Sequence, residues 1–280
     1  MQSQAYFYRN RGDGEALETA LRAQQDARRA GDRAAQAQAL EAEAMVRYGR
    51  LLFRNGNDFA QARALFERAL ELRRAEGAPA AIANATFHLG LTYEQEGRGA
   101  LARPLYERAL ALAERAGDTL TQAYALRHLA GFHEEGGDLE RALALHRRCL
   151  ALREEAGALR LVPFALLAIG ELEVKRGEFA RARATYERAL RVAEQAKGGP
   201  ARPRAHQGLG ALDAREGRFD AALAHYRLAL AQAEALADFD GVAAAAGAAA
   251  KVAGAMGDGA RSRAFAERAE RARARAAAGG

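Results

Sequence analysis

One column of residues constrains the fold of this chain more than any other feature: Phe66, Tyr106, His146, Tyr186 and Tyr226 follow one another at a fixed interval of 40 residues. Other columns keep the same register. Ala62, Ala102, Ala142, Ala182 and Ala222 stand four residues before it. Ala69, Ala109, Cys149, Ala189 and Ala229 stand three after it, each followed by a leucine, Leu70, Leu110, Leu150, Leu190 and Leu230. Self-similarity at such a period marks a repeat architecture, in which each unit cannot bury its apolar face alone and must stack on its neighbours.

The offsets identify the element. Steps of four, three and one place these residues on one side of an α-helix. Gly97, Gly137, Gly177, Gly217 and Gly257 mark a turn before that helix, and Gly77, Gly117 and Gly157 mark another after it. A second helix precedes each first turn, its buried face written as Leu89/Gly90 with Tyr93, Leu129/Ala130, Ile169/Gly170 and Leu209/Gly210. A small residue beside a large one lets two helices approach closely. Each unit therefore reads as helix A, a glycine turn, helix B and a second turn, with helices of about 17 residues, or roughly 25 Å at the helical rise. Composition agrees: half the residues are apolar, Trp is absent and only five prolines occur, so little opposes helix formation. The expected fold class is all-α, an α-solenoid of stacked antiparallel helix pairs.

Leu89-Gly90-x-x-Tyr93 followed by Gly97, Ala102, Tyr106 and Ala109 resembles the tetratricopeptide repeat signature in its own spacing, and the resemblance recurs over nearly the whole chain. The departure is the period, because the ordinary repeat spans about 34 residues. The longer form is similar to repeats in cell-polarity scaffold proteins, kinesin light chains and the sensor regions of large bacterial transcriptional regulators. The resemblance implies a right-handed superhelix and a protein or peptide partner held in a concave groove lined by A helices. The expected units are 1–33 (capping helices or a partial repeat), 34–78, 79–118, 119–158, 159–198, 199–238 and 239–280, with the helix that opens the second unit running from about Ala34 to Arg54. The last unit reads as a cap: Ala266 and Glu270 replace the aromatic and leucine columns, giving the polar outer face a terminal repeat needs.

Charge points to a solvated surface rather than to a polyanion. The formal net charge is +6, yet most arginines alternate with glutamates three or four positions away, as in Glu107/Arg108 with Glu114/Arg115, the appearance of an exposed helix face. The exception is the tail, where Arg261, Arg263, Arg268, Arg271, Arg273 and Arg275 outnumber Glu267 and Glu270. Nucleic-acid binding rests on that tail alone and is the weaker reading. A single cysteine allows no intramolecular disulfide. Met1 to Gly14 has no apolar run of the signal-peptide kind, and no stretch approaches an uncharged membrane span, so a cytoplasmic setting is expected.

Catalytic signatures are absent: there is no G-x-x-x-x-G-K-[ST], no H-E-x-x-H and no G-x-S-x-G. No cofactor and no metal are expected. His128 and His133 are five residues apart and do not share a helix face. His88 and His128 occupy the same place in adjacent A helices but lack a third ligand. His146 reads as a core or boundary residue and Cys149 as a buried, inert thiol.

With Leu89 and Tyr93 facing helix B, the residues expected to turn towards the groove are Asn84, Phe87, His88, Leu91 and Glu94. The equivalents are Tyr124, Arg127, His128 and Glu134, then Phe164, Leu167, Glu171 and Lys175, then Arg204, Gln207 and Arg215. Phe87 and Phe164 carry an alternative reading, as packing between A helices. Relatives that clamp a C-terminal carboxylate use Lys and Asn at positions that here hold Phe87, Leu91 and His128, so that mode is not expected. The resulting expectation is a non-catalytic interaction scaffold for a protein or peptide segment. The alternative is a sensor module that responds to a peptide or small effector through another protein. Oligomeric state is not legible.

Overall fold

The computed structural model describes residues 13–53, 59–196 and 199–278. Among them are thirteen α-helices and no strand. In chain order these are α1 (Asp13–Ala30), α2 (Arg33–Phe53), α3 (Ala60–Glu76), α4 (Pro79–Gln95), α5 (Gly99–Ala116), α6 (Thr119–Glu135) and α7 (Leu139–Glu155). There follow α8 (Val162–Lys175), α9 (Phe179–Gln195), α10 (Ala201–Arg215), α11 (Phe219–Ala235), α12 (Phe239–Ala255) and α13 (Gly259–Ala277). Helices adjacent in sequence pack as antiparallel pairs: α2/α3, α4/α5 and α6/α7 in one compact unit (Met1–Ala156), and α8/α9, α10/α11 and α12/α13 in a second (Gly157–Gly280). This is the α-solenoid. The Met1–Gly14 reading falls almost wholly outside the described residues, as does Arg54, and α2 is described as far as Phe53.

The turns follow from glycine. Gly97, Gly137, Gly177, Gly217 and Gly257 all lie at φ between 72° and 79°, and Gly77, Gly117 and Gly157 between 62° and 71°. This left-handed conformation ends a helix at little steric cost only where Cβ is missing. Aspartates start several helices: the side chains of Asp118, Asp138, Asp238 and Asp258 accept hydrogen bonds from the backbone N–H groups of Thr121, Arg141, Gly241 and Arg261, satisfying donors that a helix N-terminus leaves free.

In three of the pairs, the glycine of helix A receives the aromatic of helix B. A Cβ at Gly90 would sit 2.7 Å from Tyr106 Cε1, one at Gly170 2.6 Å from Tyr186 Cε1, and one at Gly210 2.9 Å from Tyr226 Cε1. The pair α6/α7 has Ala130 where these three have glycine, and there the partner column holds the smaller ring of His146. Phe66, Tyr106, Ala62, Ala102, Ala142, Ala182 and Ala222 are fully buried, and burying one such aromatic contributes about 1.5–3 kcal/mol. Cys149 is buried, its thiol donating to the Ala123 carbonyl at 3.1 Å, and burial pushes its pKa up. His146 is buried as well.

On the B-helix side, Arg148 pairs with Glu114 at 2.5 Å and Arg268 with Glu234 at 2.6 Å, each joining successive B helices. These pairs are exposed and contribute about 0–1 kcal/mol each. The tail helix α13 buries only Ala269 and Ala272, as expected of a helix with one covered face.

Candidate partner-binding face

In the first unit, the candidate positions lie on α4 and α6, and hydrogen bonds draw three of them together. His128 Nδ1 is 2.6 Å from Glu94 Oε2, and Arg127 Nη2 is 2.5 Å from His128 Nε2. Arginine can only donate, so Nε2 accepts and the imidazole proton sits on Nδ1, donated to Glu94. The Tyr106 hydroxyl, from α5, donates to the same carboxylate oxygen. Burial alone would raise the Glu94 pKa, but the hydrogen bonds from His128 and Tyr106, together with the Arg127 charge, hold it below the usual carboxylate value. Burial, helped by Arg127, lowers His128 to about 4, so the ring is neutral at pH 7. The outcome is an ionised carboxylate in a fixed orientation, about 29 % exposed, beside a half-buried guanidinium.

Asn84, His88, Tyr124 and Glu134 are likewise half-buried. Phe87, Leu91 and His128 are not open to a groove: they are 1 %, 1 % and 5 % exposed. For Phe87 the reason is an aromatic cluster. Its ring lies 5.6 Å from Tyr124 in a stacked arrangement, 5.6 Å from Tyr106 and 5.4 Å from His128, so α6 covers the stripe of α4 that was expected to face a partner. His88 stacks on Phe66 at 5.4 Å, and burial lowers its pKa to about 4. The packing alternative therefore describes Phe87.

In the second unit Leu167 is fully buried, which corrects the expectation for it on the same grounds. Phe164, Arg204 and Gln207 are half-buried, and Glu171, Lys175 and Arg215 are exposed. Arg204 Nη2 reaches Glu171 at 2.7 Å, joining α10 to α8, and Gln207 donates to the Gly241 carbonyl at 3.2 Å. Arg215 lies 4.1 Å over the Phe179 ring. Among the described residues, no side-chain hydrogen bond joins Asn84 or Phe164 to the other candidates. Sequence reasoning missed Tyr106, assigning it to packing alone; the available signal was a hydroxyl-bearing ring in a column where Phe66 has none, with Glu94 twelve residues before it.

No three His, Cys, Asp or Glu side chains among the described residues are grouped to cage a metal ion. No helix among them is long and apolar enough to cross a membrane.

The tetratricopeptide repeat profile matches residues 40–115, 80–155, 121–195 and 161–235, windows that overlap at the 40-residue step and together span well over half of the sequence. The chain belongs to the tetratricopeptide repeat family. Solved structures show the same fold. This tetratricopeptide repeat protein aligns with the apo form of RapI over 99 % of both chains at 15 % identity and a TM-score of 0.68. With a Rap protein solved in complex with competence and sporulation factor it aligns over 99 % of its own length and 77 % of the other, at 14 % identity and a TM-score of 0.68. It also resembles PilF of Pseudomonas aeruginosa, over 82 % and 88 % of the two chains at 18 % identity and a TM-score of 0.57. No curated protein matches the sequence.

Proposed function

We propose that this tetratricopeptide repeat protein is a non-catalytic interaction scaffold, and that a segment of a protein or peptide partner docks on the A-helix face of the first unit around Glu94, Tyr124 and Arg127. Family membership supports the scaffold. The observation that carries the docking face is the Glu94–His128–Arg127–Tyr106 network. It fixes one acidic and one basic group on adjacent A helices, and pre-oriented groups bind at a lower entropic cost than free side chains. The complex of a Rap protein with competence and sporulation factor shows a protein of like fold holding a partner. In the second unit, Glu171 and Arg204 present the same combination of charges.

The test places a photo-crosslinking residue at Tyr124, or at the exposed Arg108 on α5, and irradiates the full-length protein in extract of its source organism. Adducts are expected from position 124, with few from 108, and fewer again when Arg127→Glu is added to the position-124 variant. Equal labelling at both positions, or labelling at 124 that ignores the Arg127 change, refutes the docking face.

A further inference from the structure

In the second unit, two imidazoles meet where the other repeats place no ionisable group. His206 on α10 and His225 on α11 approach with Nδ1 to Nδ1 at 3.1 Å and ring centroids 5.3 Å apart. Behind them, Asp213 Oδ2 lies 3.6 Å from His225 Nε2. Stepping back by 40 residues, the same two positions hold Leu166 and Thr185; by 80, Leu126 and Leu145; by 120, Thr86 and Leu105. Forward by 40 they hold Ala246 and Phe265. Leu126 and Leu145 share one apolar cluster, so the helix pair is satisfied by ordinary packing at this point. Polar groups at a half-buried contact cost stability unless they are matched; the preceding repeat matches its one such group by a hydrogen bond from Thr185 to Glu173, whereas here the two imidazoles meet each other nitrogen to nitrogen, which brings two metal-ligating atoms together.

We propose that His206 and His225 form a two-histidine chelate for a borderline divalent transition-metal ion of the zinc class, with Asp213 orienting His225 from behind. Imidazole nitrogens bind zinc at about 2.0–2.1 Å. Two nitrogens 3.1 Å apart then subtend about 100° at a shared ion, between the tetrahedral and square values. His225 coordinates through Nδ1, which leaves its Nε2–H pointing to the Asp213 carboxylate. That gap of 3.6 Å exceeds a hydrogen bond, and closing it on metal binding would give the carboxylate–histidine–metal order that fixes the tautomer and makes the ring a better ligand. Imidazole suits zinc, copper and nickel, whereas magnesium and calcium prefer oxygen. Burial lowers the pKa of both histidines, that of His206 to about 4, so both rings are neutral and able to ligate at pH 7.

The surrounding charge does not repel a cation outright. Arg183 and Arg218 bind Asp213 Oδ1 at 2.8 and 2.7 Å, and each also pairs with Glu216. Arg202 acts on His206 and Glu187 on His225 with opposite signs. Three arginines thus face three acids, Asp213, Glu187 and Glu216. The His225 side chain is about 27 % exposed, so the coordination positions the protein does not fill are open to water. Two side chains are fewer than a structural zinc site uses, and the site is accordingly an exchangeable one.

The test titrates the full chain with zinc chloride in a calorimeter and, separately, with cobalt(II) followed by its visible absorption. One equivalent is expected to bind in each case. His206→Leu with His225→Thr restores the pair that the preceding repeat carries and so keeps the fold, as far-UV circular dichroism checks; it is expected to abolish that equivalent. His133→Ala removes a half-buried histidine 3.6 Å from Asp138 and is expected to leave it intact. Asp213→Asn is expected to weaken binding by about 10–100-fold, the usual effect of losing an outer carboxylate. No saturable binding by the unmodified chain, or binding that survives the Leu/Thr replacement, overturns the proposal.

Discussion

Gly170→Ala tests the interlock between helices A and B most directly. Its new Cβ would lie 2.6 Å from Tyr186 Cε1, a separation that real Cβ atoms do not adopt, so the ring would have to move. It has nowhere to go, because its opposite edge already faces Gly208, where a Cβ would be 2.7 Å from Cε2. Overpacking of this kind costs about 1–3 kcal/mol, offset by about 1 kcal/mol from the better helix propensity of alanine. The net loss is up to about 2 kcal/mol, and the melting temperature drops by about 2–4 °C per kcal/mol for a chain of this size. Gly131 supplies the control. It lies inside α6 with no neighbour within 4 Å of an added Cβ, so Gly131→Ala gains about 0.5–1 kcal/mol. Urea titrations of both variants by far-UV circular dichroism should therefore shift in opposite directions for the same chemical change. Adding Tyr186→His to Gly170→Ala reproduces the Ala130/His146 combination and should recover part of the loss. Midpoints that move the same way in both single variants would refute the interlock.

Three further outcomes are expected. Phe87→Ala should cost about 3–5 kcal/mol in urea titrations, as for other fully buried aromatics; a variant of unchanged stability would return Phe87 to the partner-binding face. Ala237 holds φ at 52° where other repeats place glycine, a conformation costing about 1–2 kcal/mol for a residue with a Cβ, so Ala237→Gly should raise stability by up to about 1 kcal/mol after the flexibility of glycine is deducted, and a lower urea midpoint would contradict this. Burial holds His88, His128 and His146 at about 4 in the folded chain, against about 6.5 when unfolded. The unfolded chain therefore takes up protons that the folded one refuses, and stability should fall as pH drops from about 6.5 towards 4; urea midpoints that stay flat between pH 7 and 5 would count against these burials.

The fold was legible because the repeat writes the same packing problem five times. Glycine spacing located the turns, and their φ values follow from it. The aromatic column located the helix interlock, and even its exception at Ala130 and His146 has a counterpart in ring size. The candidate site was legible only in part. Helical phase set Glu94, Tyr124 and Arg127, which are half-buried, apart from the buried Leu89, but phase describes one helix at a time. It does not record that α6 covers one stripe of α4, and so it placed Phe87, Leu91 and His128 beside a partner when they lie in the core.

His206 and His225 show the same limit. Nineteen residues apart on different helices, they carry no motif, and their ring nitrogens come together only through the turn and packing of α10 against α11. Local periodicity and turn chemistry thus determined the helices, their order and the repeat, because those depend on neighbours within about four residues. Which polar groups meet, which rings are covered and which nitrogens remain available depended on helix-to-helix contact, and the tertiary structure alone decided it.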